Sequence, residues 1–113
     1  MIHPGPASRV FIVCGATDMR KGYDGLCALV EHALDQSPQS GRLFVFCNRP
    51  RTRLKVLFWD GSGLWVCSKR LEKGRFFWPD SPELAVRLRA EEWMMLAGGI
   101  DLKNTRARRW YRT

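Results

Sequence analysis

The segment Trp59-Asp60-Gly61-Ser62-Gly63-Leu64 constrains this chain more than any other. It sets an aspartate and two glycines between two apolar, β-branched and aromatic runs, residues 53–59 and 64–69. So tight a reversal needs a positive backbone angle, which glycine adopts without a Cβ clash, so the pattern predicts a β-hairpin. A two-residue loop at Asp60-Gly61 pairs Leu57 with Leu64, and one at Gly61-Ser62 pairs Leu57 with Val66. A three-residue loop would change these pairings, but both two-residue registers place Leu57, Trp59, Leu64 and Val66 on one face. Both place Val56, Phe58, Trp65 and Cys67 on the other, because side chains alternate along a strand. Large apolar groups on both faces require a sheet covered on both sides, or one that meets a partner.

The rest of the chain supplies the cover. Residues 9–14 read as a short strand, and Gly15-Ala16-Thr17-Asp18 as a turn in which Thr17 or Asp18 caps a helix. From residue 22 to about residue 36, Tyr23, Leu26, Cys27, Val30, Ala33 and Leu34 recur at helical spacing. Gly25 interrupts that pattern and permits close packing against a sheet. Residues 43–47 form a continuous apolar strand, followed by a basic loop at 48–52. Leu84, Val86 and Leu88 alternate with Ala85, Arg87 and Arg89, which predicts a short strand; a helix starting at Ser81-Pro82 is the alternative. Residues 90–97 read as a helix stopped by Gly98-Gly99. The fold class expected from these elements is α+β. It has a small antiparallel sheet with a central β-hairpin, packed by one longer N-terminal helix and a short C-terminal helix. At 113 residues, the expected organisation is a single domain over 1–102 and a basic C-terminal tail over 103–113.

Charge is concentrated. Nineteen Lys or Arg against 11 Asp or Glu give a formal charge of +8. Residues 42–75 carry nine basic and two acidic groups, whereas residues 1–41 carry three and four. Arginine outnumbers lysine 14 to 5, and its planar fork donates paired hydrogen bonds to phosphate. Arg49, Arg51, Arg53 and Lys55 are the first candidates for nucleic-acid contact, because a loop follows a phosphate backbone without sacrificing core packing. Lys69, Arg70, Lys73 and Arg75 extend the patch. Arg106, Arg108 and Arg109 in the tail form a second focus.

Other chemistry finds little support. No apolar run reaches the roughly 18 residues of a transmembrane helix, and Met1-Ile2-His3-Pro4 lacks a secretory pattern, so the expected location is cytoplasmic with no membrane contact. Cys14, Cys27, Cys47 and Cys67 lie singly in apolar stretches without metal-ligand spacing, so they are expected as free, buried thiols with no metal and no cofactor. There is no phosphate-binding glycine loop, nucleophile elbow or zinc-protease pattern. Asp18, Asp60 and Asp101 form a conceivable two-metal nuclease set, but each also suits a cap, a turn or a helix stop. Trp59, Trp65, Phe76, Phe77 and Trp78 suit either a base-stacking platform or the core, and core packing is the simpler reading.

Several separate blocks together carry a resemblance. Thr17-Asp18-Met19-Arg20-Lys21-Gly22 continues as Tyr23-Asp24-Gly25-Leu26. Lys55-Val56-Leu57-Phe58-Trp59-Asp60-Gly61 follows, then Lys69 through Phe76, Trp78-Pro79 and Gly99-Ile100-Asp101. In this order they resemble the small accessory (Orf2, or TnpB) protein of bacterial insertion sequences of the IS66 type. That protein is unrelated to the RNA-guided nuclease of the same name. Asp18, Met19, Arg20, Lys21, Gly22, Gly25, Trp59, Asp60, Gly61, Trp78 and Pro79 are signature positions of the resemblance, with no catalytic role attached.

The resemblance implies a protein encoded beside a larger transposase and needed for transposition of the element. The expected role is non-catalytic: binding DNA or organising a complex with the transposase and another element-encoded accessory subunit. The rival is a protein–protein adaptor for the transposase without direct DNA contact. The metal-dependent nuclease stands behind both.

Overall fold

Strand β2 (Leu43–Cys47) is buried along its whole length, which places it inside a sheet covered on both faces. The structure is a computed structural model and describes residues 9–100. The other strands are β1 (Val10–Ala16), β3 (Arg53–Trp59), β4 (Leu64–Arg70) and β5 (Ala85–Leu88). They form one sheet in the order β4-β3-β2-β1-β5. β1 and β2 run parallel, and every other neighbouring pair runs antiparallel. Helix α1 (Tyr23–Ala28) passes directly into a π-helical stretch, Leu29–Ala33, and helix α2 spans Ala90–Ala97.

This overturns the expected fold. The sheet is neither small nor antiparallel but five-stranded and mixed, and it dominates the described residues. The N-terminal helix is not long: it covers 11 residues from Tyr23 to Ala33, against eight in α2. Two physical reasons account for the difference. A strand, a helix and a strand in succession form a crossover, and a crossover returns the chain parallel to its start. The helix then ends in wide π turns, and Asp35 takes a left-handed backbone at φ 53, which stops it before residue 36. Its start also differs: Gly22 is the N-cap, with no side-chain cap from Thr17 or Asp18.

Two clusters fill the core, divided by the sheet. On one face Leu26 and Val30 pack with Phe44, Phe46 and Leu57. On the other Phe76, Trp93, Leu96 and Ala97 pack with Val10, Ile12, Leu43, Val45, Cys47, Leu54 and Val56. Alternation along β2 sends Phe44 and Phe46 to the first cluster and Leu43, Val45 and Cys47 to the second. Each fully buried Phe or Leu is worth about 1.5–3 kcal/mol against exposure, so β2 is a principal anchor. The chain's own helices and the segment before β5 therefore cover both faces of the sheet's centre, while Trp65 on the outer strand of the hairpin stays half-exposed.

The hairpin takes the second of the two expected registers. Leu57 pairs with Val66 and Trp59 with Leu64. Asp60 N–H donates to the Gly63 carbonyl at 3.1 Å, leaving Gly61-Ser62 as the loop. Gly61 sits at φ 103, where a side chain would be strained. The Asp60 carboxylate fixes the turn by accepting from Ser62 N–H, Gly63 N–H and Trp65 Nε1–H at 2.9, 2.9 and 2.7 Å.

Candidate nucleic-acid interface

The strand directions bring β1, β2 and β4 to their ends, and β3 and β5 to their starts, at one end of the sheet. Three connections meet there: residues 17–22, 48–52 and 71–84. Backbone bonds tie them together. Thr17 N–H donates to the Cys47 carbonyl at 2.8 Å, Leu71 N–H to Thr52 at 2.9 Å, and Phe76 N–H to Arg51 at 2.7 Å. The two basic stretches seen in the sequence are thus brought side by side.

A bulge in β1 builds the centre of this end. The pairing with β2 shifts between Ile12 and Ala16, which takes Val13 and Cys14 out of the regular ladder. Their carbonyls need other donors, because an unpaired buried carbonyl is costly. Trp78 Nε1–H donates to the Val13 carbonyl at 2.8 Å, and an Arg51 Nη donates to the Cys14 carbonyl at 2.9 Å. The Arg51 guanidinium also lies over the Trp78 ring at 5.6 Å. Gly15, read in the sequence as a turn, was the signal of the bulge, since glycine inside a strand often marks one.

The basic candidates separate into two groups. Arg51 is committed to the bulge, Lys55 Nζ donates to the Lys21 carbonyl at 2.8 Å, and Lys69 Nζ to the Ala97 carbonyl at 2.8 Å. The last of these places a cation on the C-terminus of α2, where the helix dipole favours it. Arg70 makes an exposed ion pair with Glu72 at 3.6 Å. Arg49, Arg53, Lys73 and Arg75 are exposed and form no ion pair among the described residues. Arg53 also lies directly across the β3–β4 pair from Arg70. Like charges in that position repel each other, and an anion placed between them relieves the repulsion. Arg106, Arg108 and Arg109 lie outside the described residues.

The signature residues are mainly architectural in this geometry. Asp18 accepts from Arg20 through both backbone and side chain at 2.8–3.1 Å, and these contacts hold its carboxyl down to about 2. A side chain at Gly25 would meet Lys21 Cβ and Cγ at 3.1 Å, so that glycine clears the Lys21 stem rather than the sheet. Met19 packs against the Phe44–Phe46 cluster. Trp78 and Pro79 belong to the basic end, whereas Trp59, Asp60 and Gly61 lie at the opposite end. Asp18 and Asp60 therefore stand apart by the length of a strand, about 20 Å for seven residues. They cannot share a metal pair, and Asp101 lies outside the described residues. All four cysteines are free, with Cys14 and Cys47 buried and Cys27 and Cys67 half-buried. Burial pushes the thiols of Cys14, Cys27 and Cys47 up, which keeps them protonated at neutral pH.

An open groove of about 910 Å³ runs beside the basic end, past the β1 bulge and the segment leading into β5. Lys21, Arg51 and Arg75 line it together with Phe77, Trp78 and Leu84. Phe77 and Leu84 are exposed there at 45% and 66%, a feature the aromatic run alone did not locate.

Fold and site together define a small mixed-sheet protein with one strongly cationic end. The chain belongs to the IS66 Orf2 like protein family, whose profile matches residues 8–107, and this ties it to transposition of IS66-type elements. Two relatives come from Sinorhizobium fredii (strain NBRC 101917 / NGR234), the uncharacterized proteins y4jC and y4hO. The first is 38% identical over 101 residues, covering 89% of this chain and 86% of the relative. The second is 38% identical over 104 residues, covering 92% and 90%. No solved structure matches the chain. Among the described residues, no helix is long and apolar enough to cross a membrane.

Proposed function

We propose that this protein serves transposition of an IS66-type element as a non-catalytic subunit that holds DNA for the element's transposase. One observation carries the reading: Arg49, Arg53, Lys73 and Arg75, exposed and without ion-pair partners among the described residues, belong to segments gathered at one end of the sheet. Arg51, Lys55 and Lys69 hold the scaffold that presents them. Such a surface reads phosphate rather than sequence, because its free cations among the described residues lie in connections and at a strand start rather than along a helix that could enter a groove and meet base edges. The partners are DNA, the transposase and the other element-encoded accessory subunit. An adaptor role without DNA contact draws less support, since most of the apolar sheet groups that suggested it pack into the chain's own core, with Trp65 left half-exposed.

The test replaces Arg49, Arg53, Lys73 and Arg75 with Gln and measures fluorescence anisotropy on element-end and scrambled duplexes across salt concentrations. Binding to both duplexes falls together, and the slope of log affinity against log salt drops by about 0.9 for each phosphate no longer neutralised. Unchanged affinity and slope in the folded variant sink the proposed surface. Binding by the parent only after transposase is added puts the adaptor reading first.

A further inference from the structure

The geometry points to a more specific ligand for the groove beside Phe77: an unpaired nucleotide, such as one at a single-stranded DNA end. This rests on the DNA-contact reading above and deepens it. Arg75 and Phe77 are exposed while Phe76 between them is 1% exposed, so the first and third side chains emerge together from the core-facing segment. An extended step of two residues spans about 7 Å. That spacing lets a guanidinium hold a phosphate while the ring meets the base of the same nucleotide.

An exposed aromatic ring beside cations is the combination that holds single strands, since every base offers a face for stacking. A base inside a duplex is already stacked and does not reach such a ring without leaving its partner. The groove's size, about 910 Å³, falls within the range of small-ligand sites. Its lining is mixed in charge: Lys21, Arg51 and Arg75 contribute positive charge, and Asp18, Asp80 and Glu83 negative. A phosphate backbone is drawn to the cations and repelled by the carboxylates. A neutral base is not repelled, and its amino groups can donate to the carboxylates, as cytosine does to Asp or Glu elsewhere.

The experiment compares one duplex, blunt, with the same duplex carrying a single-stranded 3′ extension of about four cytosines, by anisotropy at fixed salt. The parent binds the extended form at least about five-fold more tightly, the least that one base–aromatic stack is worth. Phe77→Ala abolishes this preference and leaves blunt-duplex binding in place, whereas Phe77→Trp keeps the preference. Equal binding of blunt and extended DNA by the parent overturns the inference while the DNA-contact reading stands, and so does a preference that survives Phe77→Ala. Binding of extended DNA alone, abolished in Phe77→Ala, supports the groove and overturns the duplex reading. No binding of either probe overturns both. The comparison made on the parent does not depend on any variant folding.

Discussion

Arg51 bonds the Cys14 carbonyl and lies over the Trp78 ring, and these contacts assign it to the scaffold in the reading proposed above. In sequence it is one of four cations between residues 49 and 55, indistinguishable from Arg49 and Arg53. Its backbone takes φ 62, a left-handed angle that costs a non-glycine residue about 1–3 kcal/mol. The bond to Cys14 and the stack on Trp78 offset that cost. Arg51→Gln therefore lowers stability by about 1.5–3 kcal/mol, the range for a hydrogen bond from a charged group. The salt slope of DNA binding stays within error of the parent. Urea unfolding and anisotropy on the same preparation check both halves. Arg51→Lys recovers only part of the stability, because an ammonium lacks the planar fork that stacks and donates together. A fall in slope without a drop in stability would return Arg51 to the phosphate-binding set.

At the level of elements, the hairpin was written in local chemistry and the sheet's parallel pair was not. Asp60-Gly61-Ser62-Gly63 specifies its turn through the positive φ of Gly61 and the bonds to the Asp60 carboxylate. Gly61→Val forces a β-branched residue to φ 103 and destabilises the protein by about 1–3 kcal/mol. Each kcal/mol corresponds to about 4–8 °C in melting temperature for a domain near this size. Calorimetry reads the shift, and NMR contacts between Leu57 and Val66 report whether the register survives. An unchanged melting temperature would mean that the turn tolerates a side chain there. The pairing of β1 with β2 depends instead on residues more than 30 positions apart, such as Val10 with Leu43. No local motif encodes it. The clue was the order strand, helix, strand, together with an uninterrupted apolar run at residues 43–47 suited to a fully covered strand. The bulge at residues 13–15 was harder still, because its partners Arg51 and Trp78 come from two distant loops. The basic candidates were visible as a composition shift, but their division into structural and free groups needed the fold.

Over the whole molecule, the charge of +8 matters less than where the sheet puts it. The connections at 17–22, 48–52 and 71–84 gather at one end. The opposite end carries Arg42, half-buried over Phe11 and bonded to Gln36, and Arg89, which pairs with Glu92. A general positive field and a localised phosphate site make different demands on DNA binding. They are separated by removing the same charge from two places. One variant changes Arg49, Arg53, Lys73 and Arg75 to Gln. The other changes Arg9, Arg42, Arg87 and Arg89 to Gln, away from the basic end, and so also removes four charges. If DNA lies on the basic end, the salt slope of the first variant falls by about 0.9 for each phosphate left without its cation. The second keeps the parent's slope, and its affinity falls only modestly through the weaker long-range field, most visibly at low salt. Circular dichroism and melting curves confirm folding of both, a check that matters most for Arg42 because of its packing on Phe11. An equal fall in slope in the two variants would show that DNA is held by diffuse charge and that the geometry of the basic end is not what it recognises.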